Sequence, residues 1–230
     1  MKSYFVTGTD TGVGKTEITA ALASCLKKRG IDVGVMKPIA SGMPQKTGFK
    51  SPDVSLLHDY SGVTDSEEMI NPVFLPLPAS PYDVTKILNL SVDMPLIFQK
   101  FRKLAKMHQM LLVEGIGGIM TPITKNFFVA DMIKAMGLET IIVSRATLGT
   151  LNHTIMTFKM CQQYDISVKG IIVNYYDENG TPAERNAPAT LYELTGKPIL
   201  GIVPFVKDYQ NHGVMADVLE KVIDWKVLIS

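Results

Sequence analysis

Residues 4–16 read Tyr4-Phe5-Val6-Thr7-Gly8-Thr9-Asp10-Thr11-Gly12-Val13-Gly14-Lys15-Thr16. A short apolar run leads here into a glycine-rich turn, and the residues after the turn have the spacing of one helix face: Ile18, Ala21, Leu22, Cys25 and Leu26. Gly30 is well placed to end that helix. A second apolar run, Val33 to Met36, completes a strand-helix-strand unit. This unit predicts an α/β fold.

The same alternation continues along the chain. Further apolar runs occur at Met110 to Val113, Thr140 to Val143, Gly170 to Val173 and Ile199 to Val203. Helical patterns occur at Leu96 to Met107, Leu151 to Gln163, Ala189 to Leu194 and Met215 to Trp225. The runs do not alternate polar and apolar residues, which is typical of parallel strands covered by helices on both faces. We predict one three-layer α/β domain over residues 1–230, with a mostly parallel sheet and right-handed crossovers.

One segment, Ile70 to Pro81, does not fit this alternation. It contains four prolines, which disfavour any regular element: Pro72, Pro76, Pro78 and Pro81. We predict a long ordered loop here, and loops of that kind in compact domains are usually functional.

Composition narrows the functional classes. With 46% hydrophobic and 20% charged residues, the 230-residue chain can bury one sizeable core. The formal charge of +1 gives no electrostatic indication of nucleic acid or an anionic membrane as a partner. Two distant cysteines suggest neither a disulfide framework nor a thiolate metal site, and a reducing cytoplasm fits. No apolar run approaches the roughly 18 residues of a membrane span. A small-molecule partner is expected.

The glycine-rich turn predicts a phosphate-binding loop, of the P-loop nucleoside triphosphate hydrolase type. Small residues let successive backbone N–H groups curl around phosphate oxygens, and the helix N-terminus adds its positive dipole end. Lys15 would reach the outer phosphates, and the Thr16 hydroxyl would bind Mg²⁺. The loop is a variant, because its leading glycine is Gly8 and position 9 is a threonine.

Two carboxylates are candidates for the metal. Glu114 is predicted to end the third apolar strand, before Gly115-Ile116-Gly117-Gly118, at the sheet edge where open α/β sheets bind ligands. Asp53 follows Ser51-Pro52, and its residue type alone favours a helix N-cap. Lys37 is predicted to end the second strand, where a snorkelling surface lysine is nearly as compatible with the pattern as a functional one. The four histidines have no metal-ligand spacing: His58, His108, His153 and His212.

Three motifs together resemble the dethiobiotin synthetase family: Gly8-Thr9-Asp10-Thr11-x-Val13-Gly14-Lys15-Thr16, Lys37-Pro38-x-Ala40-Ser41-Gly42 and Val113-Glu114-Gly115-x-Gly117-Gly118. Further similarity at residues 71–81, 148–154 and 170–174 extends the resemblance over nearly the whole chain.

The resemblance implies a ligase that uses 7,8-diaminononanoate, CO₂ and ATP with Mg²⁺. In this family a carbamate of the substrate attacks the γ-phosphate, and the second amine then closes a cyclic urea. The carbamate is the nucleophile, so that no nucleophilic side chain is required. The cations that would offset negative charge are Lys15, Lys37 and Mg²⁺.

The resemblance also implies residue roles. Lys37, Lys15 and Thr11 would be catalytic, and the metal would be bound by Thr16, Asp53 and Glu114. The nucleotide would contact Gly12, Val13, Gly14, Lys15, Thr16, Glu17, Asp53, Glu114, Gly115, Ile116, Gly117, Asn174, Pro204 and Phe205. The diamine would contact Thr11, Lys37, Ser41, Gly149, Thr150, Leu151 and Asn152. Asn174 would read the adenine edge, since an amide offers a donor and an acceptor.

The segment 149–152 opens a predicted helix, whose free N–H groups form an anion site. In the family this segment crosses a twofold interface, which implies a homodimer with shared substrate sites. The simpler alternative is that Asn152 caps its own helix within a monomeric site.

Two other protein classes share parts of this pattern. A fragment related to the cobyrinic-acid amidases would need an appended glutaminase domain, for which 230 residues leave no room. A nucleotide switch resembling the MinD/ParA ATPases would carry a lysine where this chain has Asp10. It would also need a basic patch or an amphipathic membrane anchor. Substrate-free ATP hydrolysis discriminates a switch from a synthetase.

Overall fold

The computed structural model of the protein describes residues 2–207 and 212–230. The strands of the main sheet are β1 (Tyr4–Gly8), β2 (Val33–Met36), β5 (Met110–Gly118), β8 (Glu139–Arg145), β9 (Val168–Tyr176) and β10 (Ile199–Pro204). They lie in the order β10-β9-β8-β1-β5-β2, and every pairing between them is parallel. The six predicted apolar runs are all strands of this sheet, which confirms the predicted parallel architecture.

The helices are α1 (Lys15–Lys28), α2 (Pro52–Ser61), α3 (Glu67–Ile70), α4 (Pro81–Leu88), α5 (Met94–Met107), α6 (Val129–Met136), α7 (Thr150–Gln163), α8 (Pro182–Thr195), α9 (His212–Val222) and α10 (Trp225–Ile229). The buried apolar side chains form two clusters, one on each face of the sheet. One contains residues of α1, α2 and α9, and the other contains residues of α5, α6, α7 and α8. The protein therefore has the three layers predicted from the sequence.

The central strand β1 is buried along its whole length. Its residues alternate between the two apolar clusters: Tyr4 and Val6 belong to one, and Phe5 belongs to the other. Strand β1 pairs with β5 on one side and β8 on the other. Because β2 and β5 lie on one side of β1 and β8 to β10 on the other, the strand order reverses at β1. The loop after β1 thus lies at the topological switch point of the sheet, where open α/β sheets bind ligands.

Helix α1 begins directly after the glycine-rich loop. Gly14 precedes it with a φ of 89° and no side-chain capping bond, so its first N–H groups are not capped by the preceding side chain. The predicted apolar face is fully buried. The helix ends at Lys28, and Gly30 follows with a φ of 78°, which confirms the predicted stop.

The prediction of a loop without regular structure at Ile70 to Pro81 is wrong in part. Strand β4 (Val73–Leu75) lies within it and pairs in parallel with β3 (Ile39–Ser41). The residues of β4 lie between Pro72 and Pro76, so their backbone N–H groups remain available for pairing. Another short pair, β6 (Pro122–Thr124) with β7 (Phe127–Phe128), is antiparallel.

The predicted helix Met215 to Trp225 is divided. Helix α9 ends at Val222, and α10 begins at Trp225. The carboxylate of Asp224 accepts a hydrogen bond from the Val227 N–H at 3.1 Å, and this side-chain cap starts the new helix. Within residues 2–207 and 212–230, no helix combines the length and apolar character that crossing a membrane requires.

Helix α10 is tied to the sheet by a buried tyrosine. The Tyr4 hydroxyl donates a hydrogen bond of 2.6 Å to the Leu228 carbonyl. Burial, followed by the charge of Glu139, raises the pKa of Tyr4 to about 12, so the hydroxyl keeps its proton at ordinary pH. This bond connects residues far apart in the chain.

We predict that Tyr4→Phe lowers the free energy of unfolding by about 1–2 kcal/mol, because it leaves a buried carbonyl without its donor. The matched control is Tyr192→Phe, since Tyr192 is 59% exposed and its change should have little effect. Urea unfolding of both variants measures the difference. Equal stability of the two variants would show that the Tyr4 hydroxyl does not stabilise the fold.

Candidate active site at the carboxyl edge of the sheet

The glycine-rich loop is held in a tight conformation by its own backbone and by Lys15. Gly12 and Gly14 have φ values of 74° and 89°, a region that favours glycine. The Lys15 ammonium donates a hydrogen bond of 2.8 Å to the Asp10 carbonyl, and Lys15 is only 6% exposed. A Cβ atom at Gly8 would lie 2.9 Å from the Lys15 Nζ atom. The leading glycine of this variant loop thus makes room for the lysine that ends it.

Asn174 supports the loop from behind. Its Nδ2 atom donates a hydrogen bond of 3.0 Å to the Val13 carbonyl. A Cβ atom at Gly14 would lie 2.1 Å from that same nitrogen, so any larger residue at this position would collide with Asn174. The Oδ1 atom of Asn174 is buried and has no hydrogen-bond partner. The Asn174 amide nitrogen therefore donates to the predicted phosphate-binding loop, while the amide oxygen accepts no hydrogen bond.

Lys37 lies at the centre of a buried cluster of charges. It follows β2 directly and is 3% exposed, so the alternative of a snorkelling surface lysine is wrong. The Lys37 Nζ atom contacts the Glu114 Oε1 atom closely and lies 3.1 Å from the Asp53 Oδ2 atom. The Thr16 hydroxyl donates a hydrogen bond of 2.8 Å to the same Glu114 oxygen. The Glu114 carboxylate of β5 thus accepts from Lys37, just after β2, and from Thr16 of α1, while Asp53 of α2 contacts Lys37.

Two positions differ from the sequence interpretation. Glu114 does not end β5, because the strand continues through the glycines to Gly118, with a register shift against β1. This irregularity lies beside the site, as β-bulges often do. Asp53 is not the N-cap of α2; Ser51 occupies that position, and Asp53 lies in the first turn with its carboxylate directed to Lys37.

The two buried lysines have opposite pKa shifts. Burial, assisted by the nearby Lys37 charge, lowers the pKa of Lys15 to about 8. Burial by itself would lower the pKa of Lys37, but the Glu114 and Asp53 carboxylates raise this pKa above the ordinary value. Burial raises the pKa of Glu114, and Lys37 and Thr16 act against that shift. Since Lys37 bonds to two carboxylates at once, we assign the group as an ammonium paired with carboxylates.

These residues line a cavity of about 560 Å³ at the carboxyl edge of the sheet. The cavity brings together most of the predicted residues of the loop, the metal site and the reacting end of the substrate site: Thr11, Gly12, Gly14, Lys15, Thr16, Glu17, Lys37, Ser41, Asp53, Glu114, Ile116 and Gly117. They come from five separate segments of the chain. The parallel sheet brings the segments after β1 and β2 and the end of β5 to one edge, whereas Ser41 and Asp53 reach the cavity from β3 and α2 outside that sheet.

Other predicted residues do not line this cavity. Val13 and Gly115 are buried, and each is adjacent in sequence to residues that line the cavity. Asn174 lies behind Gly14. Pro204 and Phe205 lie at the end of β10 and are exposed, with the Phe205 ring 6.1 Å from the Tyr175 ring. The segment Gly149 to Asn152 also lies outside the cavity. Gly149 precedes α7, so the alternative that Asn152 caps this helix is wrong.

Sequence reasoning missed several residues of the cavity wall. Pro78, Ala79 and Ser80 line it, and they belong to the proline-rich segment that was expected to be functional. The single residues Thr121 and Tyr175 also line it. The Thr121 hydroxyl accepts a hydrogen bond of 2.9 Å from the Gly118 N–H, but an isolated threonine gives no sequence signal for such a role.

The donors at the site fit a magnesium ion. Mg²⁺ is bound in proteins by one or two carboxylates, with waters and substrate phosphates as its other ligands. Glu114, Asp53 and the Thr16 hydroxyl are such donors, and the Glu114 Oε2 atom is buried without a hydrogen-bond partner. The described residues contain no group of three or more His, Cys, Asp or Glu side chains suited to a metal.

Comparison with known proteins agrees with this geometry. A model of the AAA domain family matches residues 2–213. The ATP-dependent dethiobiotin synthetase BioD of Nitrosopumilus maritimus is 51% identical over 230 residues, covering 100% of both chains. The protein of the same name from Thermodesulfovibrio yellowstonii is 42% identical, covering 99% of this chain and 98% of the relative.

The chain belongs to the ATP-dependent dethiobiotin synthetase family. The resemblance inferred from three motifs is thereby confirmed, and so is the expected class of enzyme, an ATP-dependent ligase of biotin biosynthesis.

Solved structures of low sequence identity show the fold. A ParA family ATPase from Chlorobium tepidum has a TM-score of 0.56 at 17% identity, covering 96% of this chain and 92% of that chain. The MinD cell division protein of Aquifex aeolicus has a TM-score of 0.55 at 17% identity, covering 96% and 94%. The chain therefore has the P-loop ATPase fold that was predicted from its sequence.

We predict that ATP affinity is level below pH 8 and falls above it, because Lys15 loses its proton near pH 8 in the free protein. Bound phosphate holds the proton, so the affinity should fall by up to about tenfold per pH unit until the pKa of the bound state is reached. Calorimetric titration with ATP across this range measures the profile. Lys15→Arg is the control, since a guanidinium stays charged. A similar fall in the arginine variant would assign the pH dependence to another group.

Proposed function

We propose that this chain converts 7,8-diaminononanoate, CO₂ and ATP to dethiobiotin, ADP and phosphate, and that residues 1–230 form one synthetase domain. The observation that carries the proposal is the pair of buried lysines, Lys15 and Lys37, beside the buried Glu114 carboxylate in a cavity bounded by the glycine-rich loop. The full-length similarity to proteins named dethiobiotin synthetase supports the substrate assignment.

The reaction begins with a carbamate. One amine of the substrate adds to CO₂ and loses a proton, and a carbamate oxygen then attacks the γ-phosphorus of ATP while the bond to ADP breaks. The second amine attacks the carbonyl carbon of the resulting mixed anhydride, and phosphate leaves as the five-membered urea closes. Since the substrate itself provides the nucleophile, the protein's contribution is placement and electrostatic stabilisation.

The residues at the cavity suit those two tasks. The backbone from Gly12 to Thr16, continued by Glu17, holds the phosphates, and Lys15 offsets the charge of the outer phosphates. Lys37 lies beside the carbamate, with Thr11 and Ser41 nearby on the cavity wall. The adenine end is bound by Asn174 and by the exposed residues Pro204 and Phe205 at the end of β10.

Thr16, Asp53 and Glu114 would hold Mg²⁺, which would neutralise charge on the transferred phosphoryl group. Residues 115–117, in the last part of β5, complete the nucleotide site. This assignment uses the buried Glu114 carboxylate, which an apolar strand would otherwise accommodate only at high cost.

We predict that phosphate release depends jointly on the diamine, bicarbonate and Mg²⁺, because the phosphoryl acceptor exists only after amine and CO₂ combine. The assay measures phosphate release together with mass detection of the cyclic urea. Lys37→Ala should lower turnover far more than ATP affinity, whereas Lys15→Ala should weaken both. Rapid ATP hydrolysis without the diamine would instead favour a nucleotide switch and contradict the proposal.

We further propose a homodimer in which each substrate site is shared. The segment Gly149 to Asn152 at the start of α7 lies outside the cavity of its own chain, and the preceding Leu148 is 87% exposed. The N–H groups at this helix N-terminus suit the carboxylate of the diamine. A second chain in twofold symmetry would place this segment over the cavity of its partner.

Mixing two inactive variants tests the shared site. Lys37→Ala damages the reacting end, and Asn152→Glu places a repelling charge at the carboxylate end. Since Asn152 is exposed, this change should leave the fold intact. Unfolding and refolding the two together should restore about a quarter of wild-type activity, because half of the dimers are mixed and each has one intact site. A mixture of Lys37→Ala with Lys15→Ala is the control and should recover nothing. Equal results in both mixtures, with mixed dimers present, would refute a shared site.

A further inference from the structure

Lys37 occupies the position between the two carboxylates that the proposed function assigns to Mg²⁺. The Lys37 ammonium contacts the Glu114 Oε1 atom and lies 3.1 Å from the Asp53 Oδ2 atom. Side chains of Lys37 and Glu114 are 4% and 0% exposed, so the pair is shielded from water. The lysine therefore supplies the positive charge that this buried carboxylate requires.

The third proposed metal ligand belongs to the same cluster. The Thr16 hydroxyl donates to the Glu114 Oε1 atom, the oxygen that Lys37 also contacts. The other oxygen, Oε2, is buried without a hydrogen-bond partner. The Glu114 oxygen beside the Thr16 hydroxyl is therefore the one that Lys37 already occupies, and a cation held there between Glu114 and Asp53 would take the position of the ammonium.

We propose that Lys37 is the resident counter-cation of the metal site and competes directly with the divalent ion for Glu114 and Asp53. Arrival of the metal with its nucleotide displaces the Lys37 ammonium from these carboxylates and frees it to move toward the substrate. The inference rests on the proposed function, because it takes Glu114 and Asp53 as the metal ligands. It adds an order of events: the lysine becomes available to the carbamate only after the metal is bound.

The backbone around Lys37 allows this movement only in the side chain. The Lys37 N–H donates to the Ile70 carbonyl at 2.8 Å, and the Lys37 carbonyl accepts from the Asn71 side chain at 2.7 Å. Both bonds fix the chain where β2 ends. A flexible four-carbon stem can still reorient the ammonium within the cavity, where Ser41 lies on the proposed substrate side.

Metal binding without nucleotide tests the competition. Mn²⁺ serves as the probe for Mg²⁺, and its free fraction is measured by electron paramagnetic resonance in titrations of the nucleotide-free protein. Lys37→Gln should bind Mn²⁺ about tenfold more tightly than the wild type, if the lysine occupies the carboxylates in about nine molecules of ten. Lys37→Arg keeps a competing cation and should bind as weakly as the wild type.

Lys15→Gln is the matched control for charge alone. Lys15 is also a buried lysine of the same cavity, but its ammonium donates to the Asp10 carbonyl rather than to Glu114 or Asp53. If the effect were a general loss of positive charge, both glutamine variants would gain Mn²⁺ affinity equally. Equal gains, or no gain in Lys37→Gln, would overturn the competition.

A second measurement uses the wild-type protein and does not depend on how the variants fold. Crystal structures are compared for the complex with a non-hydrolysable ATP analogue, with and without Mn²⁺. The contact between Lys37 and Glu114 should persist without the metal and be absent with it. Its persistence beside a bound Mn²⁺ would overturn the inference and leave the metal assignment intact. If Mn²⁺ binds elsewhere or not at all with the nucleotide analogue, the metal assignment in the proposed function fails as well.

Discussion

The buried ion pair between Lys37 and Glu114 is the constraint on which the rest of the site depends. Glu114 lies in an otherwise apolar strand and is fully buried, so its charge persists only with a partner at short range. The parallel register supplies that partner, because Met36 of β2 pairs with Val113 of β5. Lys37 follows Met36 in the chain and Glu114 follows Val113, so the two side chains lie side by side. In the neighbouring strand β1, Val6 is aligned with Glu114. The loop after β1 leads to Thr16, whose hydroxyl donates a hydrogen bond to the Glu114 carboxylate. Strand pairing thus determines the electrostatics of the site.

The loop conformation depends on the other half of the sheet. Strand β9 carries Asn174, whose amide donates to the Val13 carbonyl and fills the space behind Gly14. Strand β9 does not pair with β1; β8 lies between them. Asn174 therefore supports the loop after β1 from a strand that is not the direct neighbour of β1. Gly14 is needed both for its positive φ and for the close approach of Asn174. The two halves of the sheet hold the loop from opposite sides, which fixes its backbone before any phosphate binds.

Features that depend on residue type and spacing along the chain could be predicted from the sequence. Apolar runs located all six strands of the main sheet, and the turn after β1 located the loop, because strand, glycines and helix occur in direct succession. Residue type alone could not decide between Asp53 as a cap and Asp53 as a partner of Lys37, since that choice depends on where α2 packs. The extension of β5 beyond Glu114 was missed because glycines in a run normally indicate a turn. Thr121 and Tyr175 gave no signal: Thr121 lies in the short turn between β5 and β6, and Tyr175 lies near the end of β9 with a positive φ of 55°, which its residue type does not predict.

The distribution of polarity in the cavity argues for a substrate with two different ends. The lining includes the charged side chains Lys15, Lys37 and Glu114, together with an apolar wall to which Pro78, Ile116 and Pro122 contribute. A small anion alone would leave that apolar wall without a partner, and an aliphatic chain alone would leave the buried charges unused. The proposed diamine on an aliphatic chain would satisfy both, because one of its amines would become the carbamate beside the lysines and its methylene groups would lie along the apolar wall. In the proposed dimer, the carboxylate at the other end of the diamine would lie away from the lysines, and the N–H groups at the start of α7 would be donors of the kind that it requires.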